Sequence, residues 1–370
     1  MQPNSRYIIL LVFCFSCMLA NGEGQMNSVD TLKYYNAAGL PLLGKIYPDS
    51  LPHYSRMPYF LKPSVRTALW NLGQNSSGIA VRFRSNSTVI SSKWDVAYNN
   101  SMSHMSPTGI KGLDLYCLIE GGWRFVRSAQ PTGKNNNTVI ISGMKPEERE
   151  YILYLPLYDG ISSLEIGVDT NSWIKPPLLQ SPAKENPIVF YGSSIMQGAC
   201  ASRPGMSASN IISRRLDMET INLGFSANAF IDYEIAEMMA DVDAAAFVLD
   251  FVPNASVEQI KSRTAAFLGI LRAKHPETPV IFVEDPVFTH SLFDCNMAKE
   301  VQDKNRMLDK VFHDLEKQGC RDIYLVKSEN MIGNDGEATV DGIHFTDLGF
   351  VRYAGLIVPV LEKVIYKKQR

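Results

Sequence analysis

The stretch "PIVFYGSSIMQG", residues 187–198, runs from an unbroken apolar segment into a cluster of small residues, with Ser193 and Ser194 between Gly192 and Gly198. A short apolar run ending in a Gly-Ser-Ser turn reads as a buried strand that feeds a helix. Taken alone, such serines are helix caps, because a serine oxygen at an N-cap accepts a backbone N–H. What the chain does on either side of this turn decides the fold, and decides whether either serine has a second task.

Downstream, strands and helices alternate. "SNIISRRL" (209–216) has helical spacing, while "TINLG" (220–224) and "AAAFVLDF" (244–251) read as strands. "VEQIKSRTAAFLGILRAKH" (257–275) is an amphipathic helix and "PVIFVEDP" (279–286) another strand. "AKEVQDKNRMLDKVFHDLEKQG" (298–319) is a helix stopped at Gly319, "DIYLV" (322–326) a strand, and a closing helix covers about 346–366. This order predicts an α/β domain over 186–370, a parallel sheet with helices on both faces. Ligands in such sheets sit beyond the carboxyl ends of the strands. Four places there carry chemistry: Gly192-Ser193-Ser194, Asn222-Leu223-Gly224, Asp250 to Asn254, and "DGIHFTDLG" from Asp341.

Together these form a workable nucleophilic site. A serine hydroxyl needs a base within hydrogen-bond reach before it attacks a carbonyl. Histidine supplies one, and a carboxylate on its other ring nitrogen fixes the tautomer. In "DGIH", Gly342 permits a tight turn that folds Asp341 back onto His344. Donors for a tetrahedral oxyanion are the backbone N–H of Ser194, the backbone N–H of Gly224 and the side-chain amide of Asn254. Gly224 is read as letting backbone approach a substrate.

Upstream the period changes. "SGIAVRFRSNSTVISSKWDVAY" (77–98) alternates apolar and polar residues, and "GLDLYCLIEGGWRFVRSA" (112–129) is two short strands around a Gly-Gly turn. With "NTVIISGM" and "REYILYLPLYDGISSLEIGV" these predict an antiparallel, jelly-roll-like β-sandwich over 27–180. In "GLDLY" the strand period places Leu113 and Leu115 on one face, Asp114 and Tyr116 on the other. "KPPLLQSPAKENP" (175–187), with four prolines, is the expected linker.

A net charge of −2, with no run of like charge, gives no reason to expect a polyanion-binding surface, so no nucleic-acid partner is expected. "MQPNSRYIILLVFCFSCMLANGEGQ" (1–25) has a basic start at Arg6 and a 13-residue apolar core, Ile8 to Ala20. A helix of that length spans roughly 20 Å, too short for the bilayer, so residues 1–22 are expected to be a signal peptide and no stable membrane span is expected. The product is periplasmic or secreted, either soluble or lipid-anchored through Cys17. Cys117, Cys200, Cys295 and Cys320 remain, as free thiols or as disulfides. No clustered Cys/His spacing calls for a metal or other cofactor. His53, His104, His275, His290 and His313 lack a partner at ligand spacing. His290 either lines the cleft or does not, and His313 faces solvent. Arg203, in "CASRPG", either holds a substrate group or forms a surface ion pair. The sequons at Asn75, Asn86, Asn99, Asn136 and Asn254 read as chance.

"YGSSIMQG", "NLGFSAN", "LDFVPN" and "DGIHFTDLGF" resemble, in order, the four sequence blocks of the SGNH (GDSL-type) hydrolases, over roughly 186–366. "GLDLY" resembles the Gly-x-Asp-Leu-Tyr signature of a β domain that precedes some bacterial SGNH esterases. The resemblance implies a three-layer α/β/α fold and metal-free ester hydrolysis. It makes Ser194 the nucleophile, His344 the base, Asp341 its orienting acid, and Ser194, Gly224 and Asn254 the oxyanion hole. Ser193 stands where the family has an aspartate with no triad role. The usual Gly-x-Asn-Asp appears as Val252-Pro253-Asn254-Ala255, which keeps the amide and loses the glycine that shapes its loop. An α/β-hydrolase fits less well, because Met196 stands where its Gly-x-Ser-x-Gly needs the second glycine. The expected function is removal of short acyl groups, O-acetyl above all, from carbohydrate. A lipase or lysophospholipase of the same fold, and a catalytically dead carbohydrate-binding protein, are the alternatives.

Overall fold

The structure, a computed structural model, describes residues 32–366, so the signal-like segment 1–22 and Cys17 lie outside the described residues. Among those described, no helix is long and apolar enough to cross a membrane.

The first half contains β1 (Lys33–Asn36), β2 (Leu42–Leu43), α1 (Thr67–Gly73), β3 (Ala80–Ser85), β4 (Ile90–Val96), α2 (Pro107–Lys111), β5 (Leu113–Ile119), β6 (Gly122–Ala129), β7 (Asn135–Ile141), β8 (Arg149–Tyr154), β9 (Ile161–Val168) and β10 (Ile174–Lys175). These form two antiparallel sheets, ordered β1-β9-β4-β7 and β10-β3-β8-β5-β6, with β2 on β3. Phe83, Trp94, Leu113, Leu115, Tyr151 and Ile166 fill the space between them. Tyr116 faces away into a smaller cluster with Trp123 and Tyr154, as a period of two requires. The β5–β6 hairpin closes on Gly121 and Gly122 at φ 83° and 111°, a backbone that only glycine adopts without strain.

The second half contains β11 (Ala183–Gly192), α3 (Ser194–Gln197), α4 (Ala208–Leu216), β12 (Met218–Gly224), α5 (Tyr233–Met239), β13 (Ala246–Asp250), α6 (Val257–Lys274), β14 (Val280–Val283), α7 (Cys295–Lys317), β15 (Ile323–Val326) and α8 (Asp347–Tyr366). The sheet order is β12-β11-β13-β14-β15, and every pairing is parallel. Val189 and Tyr191 of β11 point into a core shared with α5, α6 and α7. Ile188 and Phe190 point into the opposite core, shared with α4 and α8. With both faces covered, β11 reads as a continuous apolar run. Strand order reverses at β11, so the Gly192-Ser193-Ser194 turn lies at the switch point where clefts form.

Three local features differ from the sequence reading. β11 begins at Ala183, inside the expected linker; Ala183 pairs with Met218 before a register break ahead of Ile188. The helix after Gly192 is a single turn, and α5 is too short to show a helical stripe. The proline-rich segment before β11 is itself docked. Glu150 accepts from the N–H groups of Leu178 and Leu179 at 2.6 and 3.1 Å, and buried Arg82 pairs with Glu150 at 3.0 Å.

The halves are packed together closely. Ser77 donates to the Gln197 carbonyl at 2.6 Å, and a Cβ added to Gly78 would stand 2.5 Å from that of Asn222. Glu219 accepts from the Gly44 N–H at 2.6 Å, and burial pushes its carboxyl up to about 7. The folded state therefore holds this proton through a range where the unfolded chain, near 4.3, has lost it. That stability is full below the unfolded pKa and is lost as pH rises through about 7. Glu219→Gln is expected to flatten the decline in melting temperature between pH 4.5 and 7.5, roughly the span between these two pKa values. The slope becomes shallower, not zero, because burial also raises Asp250 and Asp285. An unchanged slope would rule Glu219 out as its source.

Candidate active site

Ser193 is fully buried and caps α3, its oxygen accepting the Ile195 N–H at 3.3 Å. Ser194, the next residue, places its Oγ 2.9 Å from His344 Nε2. His344 is delivered by a turn whose Gly342 sits at φ 93°. Within that turn Asp341 Oδ1 accepts the backbone N–H groups of Ile343 and His344 at 3.1 and 2.8 Å. Its Oδ2 is left for the ring Nδ1, at 2.7 Å. The carboxylate fixes the proton on Nδ1 and leaves the Nε2 lone pair facing the serine. Partial burial alone would raise the Asp341 pKa, but the hydrogen bonds from the His344 ring and the two N–H groups outweigh it and hold it at about 2. The structure thus brings Ser194 against His344, 150 positions later in the chain, with the side chains of His344 and Asp341 21% and 34% exposed.

Donors converge on the same strand ends. The Ser194 N–H has no hydrogen-bond partner among the described residues. Asn254 accepts from the Ala229 N–H at 3.3 Å through Oδ1, which leaves its Nδ2 group without a protein partner among the described residues. No residue from 251 to 255 has a positive φ, so this loop forms without the family's glycine. The Gly224 N–H donates to Asn222 Oδ1 at 2.9 Å. The need for glycine there is crowding of another kind than the sequence reading gave. A Cβ would stand 2.1 Å from the Gln197 nitrogen, so bareness lets β12 pack against α3. Asn222 is fixed in turn, donating to the Met196 carbonyl at 2.7 Å and to Ser209 Oγ at 2.9 Å.

Beneath this strand end lies a residue the sequence reading passed over. Arg56, from the β half, is buried and donates to the carbonyls of Leu72 (2.6 Å), Asn75 (3.0 Å), Asn222 (3.2 Å) and Gly224 (2.5 Å). Its guanidinium lies 5.0 Å from the Phe225 ring centre. Burial lowers its pKa, and carbonyl oxygens are its only hydrogen-bond partners among the described residues.

Two expectations need correction. His104, read as partnerless, has its ring 5.4 Å from that of His344, because the loop ahead of α2 carries it from the β half to the site. Cys200 Sγ donates to the His104 carbonyl at 3.2 Å, and burial, reinforced by the Asp341 charge, pushes its thiol up to about 12. Arg203 forms an ion pair, as one of its two readings had it, but with a buried partner in the β half rather than at the surface. It donates to Asp114 at 2.8 Å and to Tyr116 OH at 2.7 Å, and its guanidinium lies 3.7 Å from the Phe125 ring centre. Asp114 is wholly buried and also accepts from Ser128 and from the Gly205 N–H, so the "GLDLY" strand grips the loop that follows α3. The sequence signal was the acid itself, since a buried carboxylate inside a strand demands a cation.

The remaining histidines lie apart or behind. A Cβ on Gly342 would come 3.0 Å from His290 Nδ1, which places His290 behind the Asp341 turn. His275 bonds the Ala240 carbonyl, His313 is exposed, and His53 lines a different cleft. That cleft, about 860 Å³ on the sandwich beside Lys93, Asp95, Asn135 and Glu165, contains none of Ser194, Gly224, Asn254, Asp341 and His344. Cys117, Cys200, Cys295 and Cys320 are all free thiols.

Comparison with known proteins follows the same division of the chain. Residues 185–362 match the GDSL-like lipase/acylhydrolase family, and residues 32–174 match the N-terminal domain of SGNH-hydrolase-type esterases. A structure from Bacteroides ovatus, described as a GDSL-like lipase, is 37% identical with a TM-score of 0.87, covering 90% of this chain and 98% of its own. A salicylyl-acyltransferase from a tetracycline biosynthetic pathway (15% identity, TM-score 0.71, 88% and 95% covered) shares the fold. So does a family two carbohydrate esterase from Cellvibrio japonicus (9% identity, TM-score 0.56, 90% and 98% covered). No curated protein matches the sequence. The chain is an esterase of the SGNH type and belongs to the GDSL-like lipase/acylhydrolase family.

Proposed function

We propose that this esterase is an exported serine enzyme that removes short acyl groups, O-acetyl above all, from carbohydrate. The hydrogen-bonded line Ser194 Oγ–His344 Nε2–Asp341 carries the serine mechanism. As Ser194 Oγ bonds to the acyl carbon, its proton passes to His344 Nε2 and the Asp341 carboxylate stabilises the imidazolium. The developing oxyanion is met by the Ser194 N–H and the Asn254 amide, with Gly224 as a third donor that shares its N–H with Asn222. Collapse breaks the carbon–oxygen bond to the alcohol, and His344 returns the proton to that leaving oxygen. Water, deprotonated by the same imidazole, then releases the acid and frees Ser194.

Support for a sugar ester comes from the carbohydrate esterase relatives of the same fold, one of them solved with cellohexaose. The signal-like leader supports export, soluble or lipid-held at Cys17. The test is turnover of p-nitrophenyl esters from acetate to palmitate, followed by acetate release from acetylated glycans. Preference for acetate with acetate release from glycan is expected. Preference for palmitate would overturn the acetyl reading, and no turnover of any ester would overturn the enzymatic one. Asn254→Ala is expected to lower kcat by about 10²–10³ with KM little changed, because its amide acts on the oxyanion rather than on the bound ester. An unchanged kcat would remove Asn254 from the hole.

A further inference from the structure

We propose that His104, Cys200, Asp341 and His344 form an inhibitory zinc site, which switches off the esterase proposed above by taking His344 out of the triad. Each of the four offers a ligand atom, and these atoms all lie within 4.8 Å of one another. Tetrahedral zinc, at about 2.0–2.3 Å from nitrogen, oxygen and sulfur, needs its ligands roughly 3.3–3.8 Å apart. Side-chain rotations would have to draw the most distant atoms in by about 1 Å and open the Asp341 Oδ2–His344 Nδ1 pair, now 2.7 Å apart, if both atoms bind. One thiol, two imidazoles and one carboxylate suit zinc, whereas magnesium and calcium prefer oxygen alone.

Two observations show that the added ligands are available. The His104 ring has no hydrogen-bond partner among the described residues, so a ring nitrogen is free to bind metal. Cys200 is held in a left-handed backbone, φ 67°, uncommon for a residue with a side chain, and its thiol has only a carbonyl as partner. Catalysis as derived above uses neither residue.

Inhibition follows from His344. If zinc binds Nδ1, the ring proton sits on Nε2 instead, and Nε2 then has no lone pair with which to take the Ser194 proton. If it binds Nε2, it displaces Ser194 Oγ, now 2.9 Å away. Either way zinc binding releases the Cys200 proton to solvent as the thiolate forms.

Zinc binding is measured by calorimetry on Ser194→Ala in a non-chelating buffer, and cobalt is added in its place to read the thiolate-to-cobalt charge-transfer band. One zinc per chain and a band that vanishes in Cys200→Ser are expected. In the enzyme with Ser194 intact, zinc is expected to inhibit p-nitrophenyl acetate hydrolysis, reversibly with EDTA. The inhibition constant, taken against each variant's own metal-free rate, should weaken roughly 100-fold in His104→Ala and in Cys200→Ser. Absence of binding, a cobalt spectrum without the thiolate band, or an inhibition constant in either variant unchanged from that of the parent enzyme would overturn the site. Should the protein hydrolyse no ester, calorimetry and the cobalt band still decide the metal site, so the two failures are distinguishable.

Discussion

Ser194→Ala is expected to lower kcat for p-nitrophenyl acetate by about 10⁶-fold while the fold, read by circular dichroism, is unchanged. The size follows from what Ser194 Oγ does: without it no acyl-enzyme forms, and only the oxyanion donors remain to act on water. His344→Ala is expected to cost as much, because a serine hydroxyl without its base attacks carbonyls poorly. The double variant should be no worse than either single one, since the two residues act as a unit. Asp341→Asn is expected to cost less, about 10⁴-fold, through loss of the correct tautomer and of the charge facing the imidazolium. Asp341 is held ionised down to about pH 2, so it keeps that charge across the working range. A larger loss from Asp341→Asn than from His344→Ala would contradict the roles given to them.

Arg56→Met is expected to be the most destabilising single change outside the hydrophobic core. It keeps much of the side chain's bulk but removes a donor from four carbonyls; Leu72 keeps the Asn75 N–H, while Asn75, Asn222 and Gly224 lose theirs, the last two on the β12 end. At about 1–3 kcal/mol for each buried acceptor left unpaired, the loss is roughly 3 kcal/mol or more. That corresponds to a fall of about 10 °C in melting temperature for a domain of this size. Because Asn222 and Gly224 also frame the oxyanion side of the site, kcat should fall with it below the melting range. Arg56→Lys restores charge but reaches too few carbonyls to recover stability. A melting temperature within about 2 °C of the parent, a shift typical of surface changes, would show that the carbonyls find other partners.

The parallel sheet and its strand-end residues were legible because their signals are local. An apolar run, a Gly-Ser-Ser turn and an Asp-x-x-His loop each declare themselves within ten residues, and the alternation of strands with helices fixes which ends converge. Ser194, His344 and Asp341 meet for that reason. What stayed hidden depends on the other half of the chain. His104 sits in a serine-rich loop with no periodic pattern, and only tertiary packing sets it beside His344. Arg56 lies between strands and α1, and a buried guanidinium bonded only to carbonyls leaves no charge partner for sequence reasoning to find. Arg203 showed the reverse: both it and Asp114 were noticed, yet they are 89 residues apart and no spacing rule joins them. Gly224 was singled out correctly for a missing side chain, although its crowding is against Gln197.

The proposed mechanism requires Ser194 to carry the acyl group, and covalent labelling tests that directly. The protein is treated with a diethyl phosphoryl ester, which phosphorylates activated serines, and its peptides are sequenced by mass spectrometry. A single adduct on Ser194, absent when His344 is replaced by alanine, is the predicted result. Label on Ser193, label that persists without His344, or no label on an enzyme that turns over ester would contradict it.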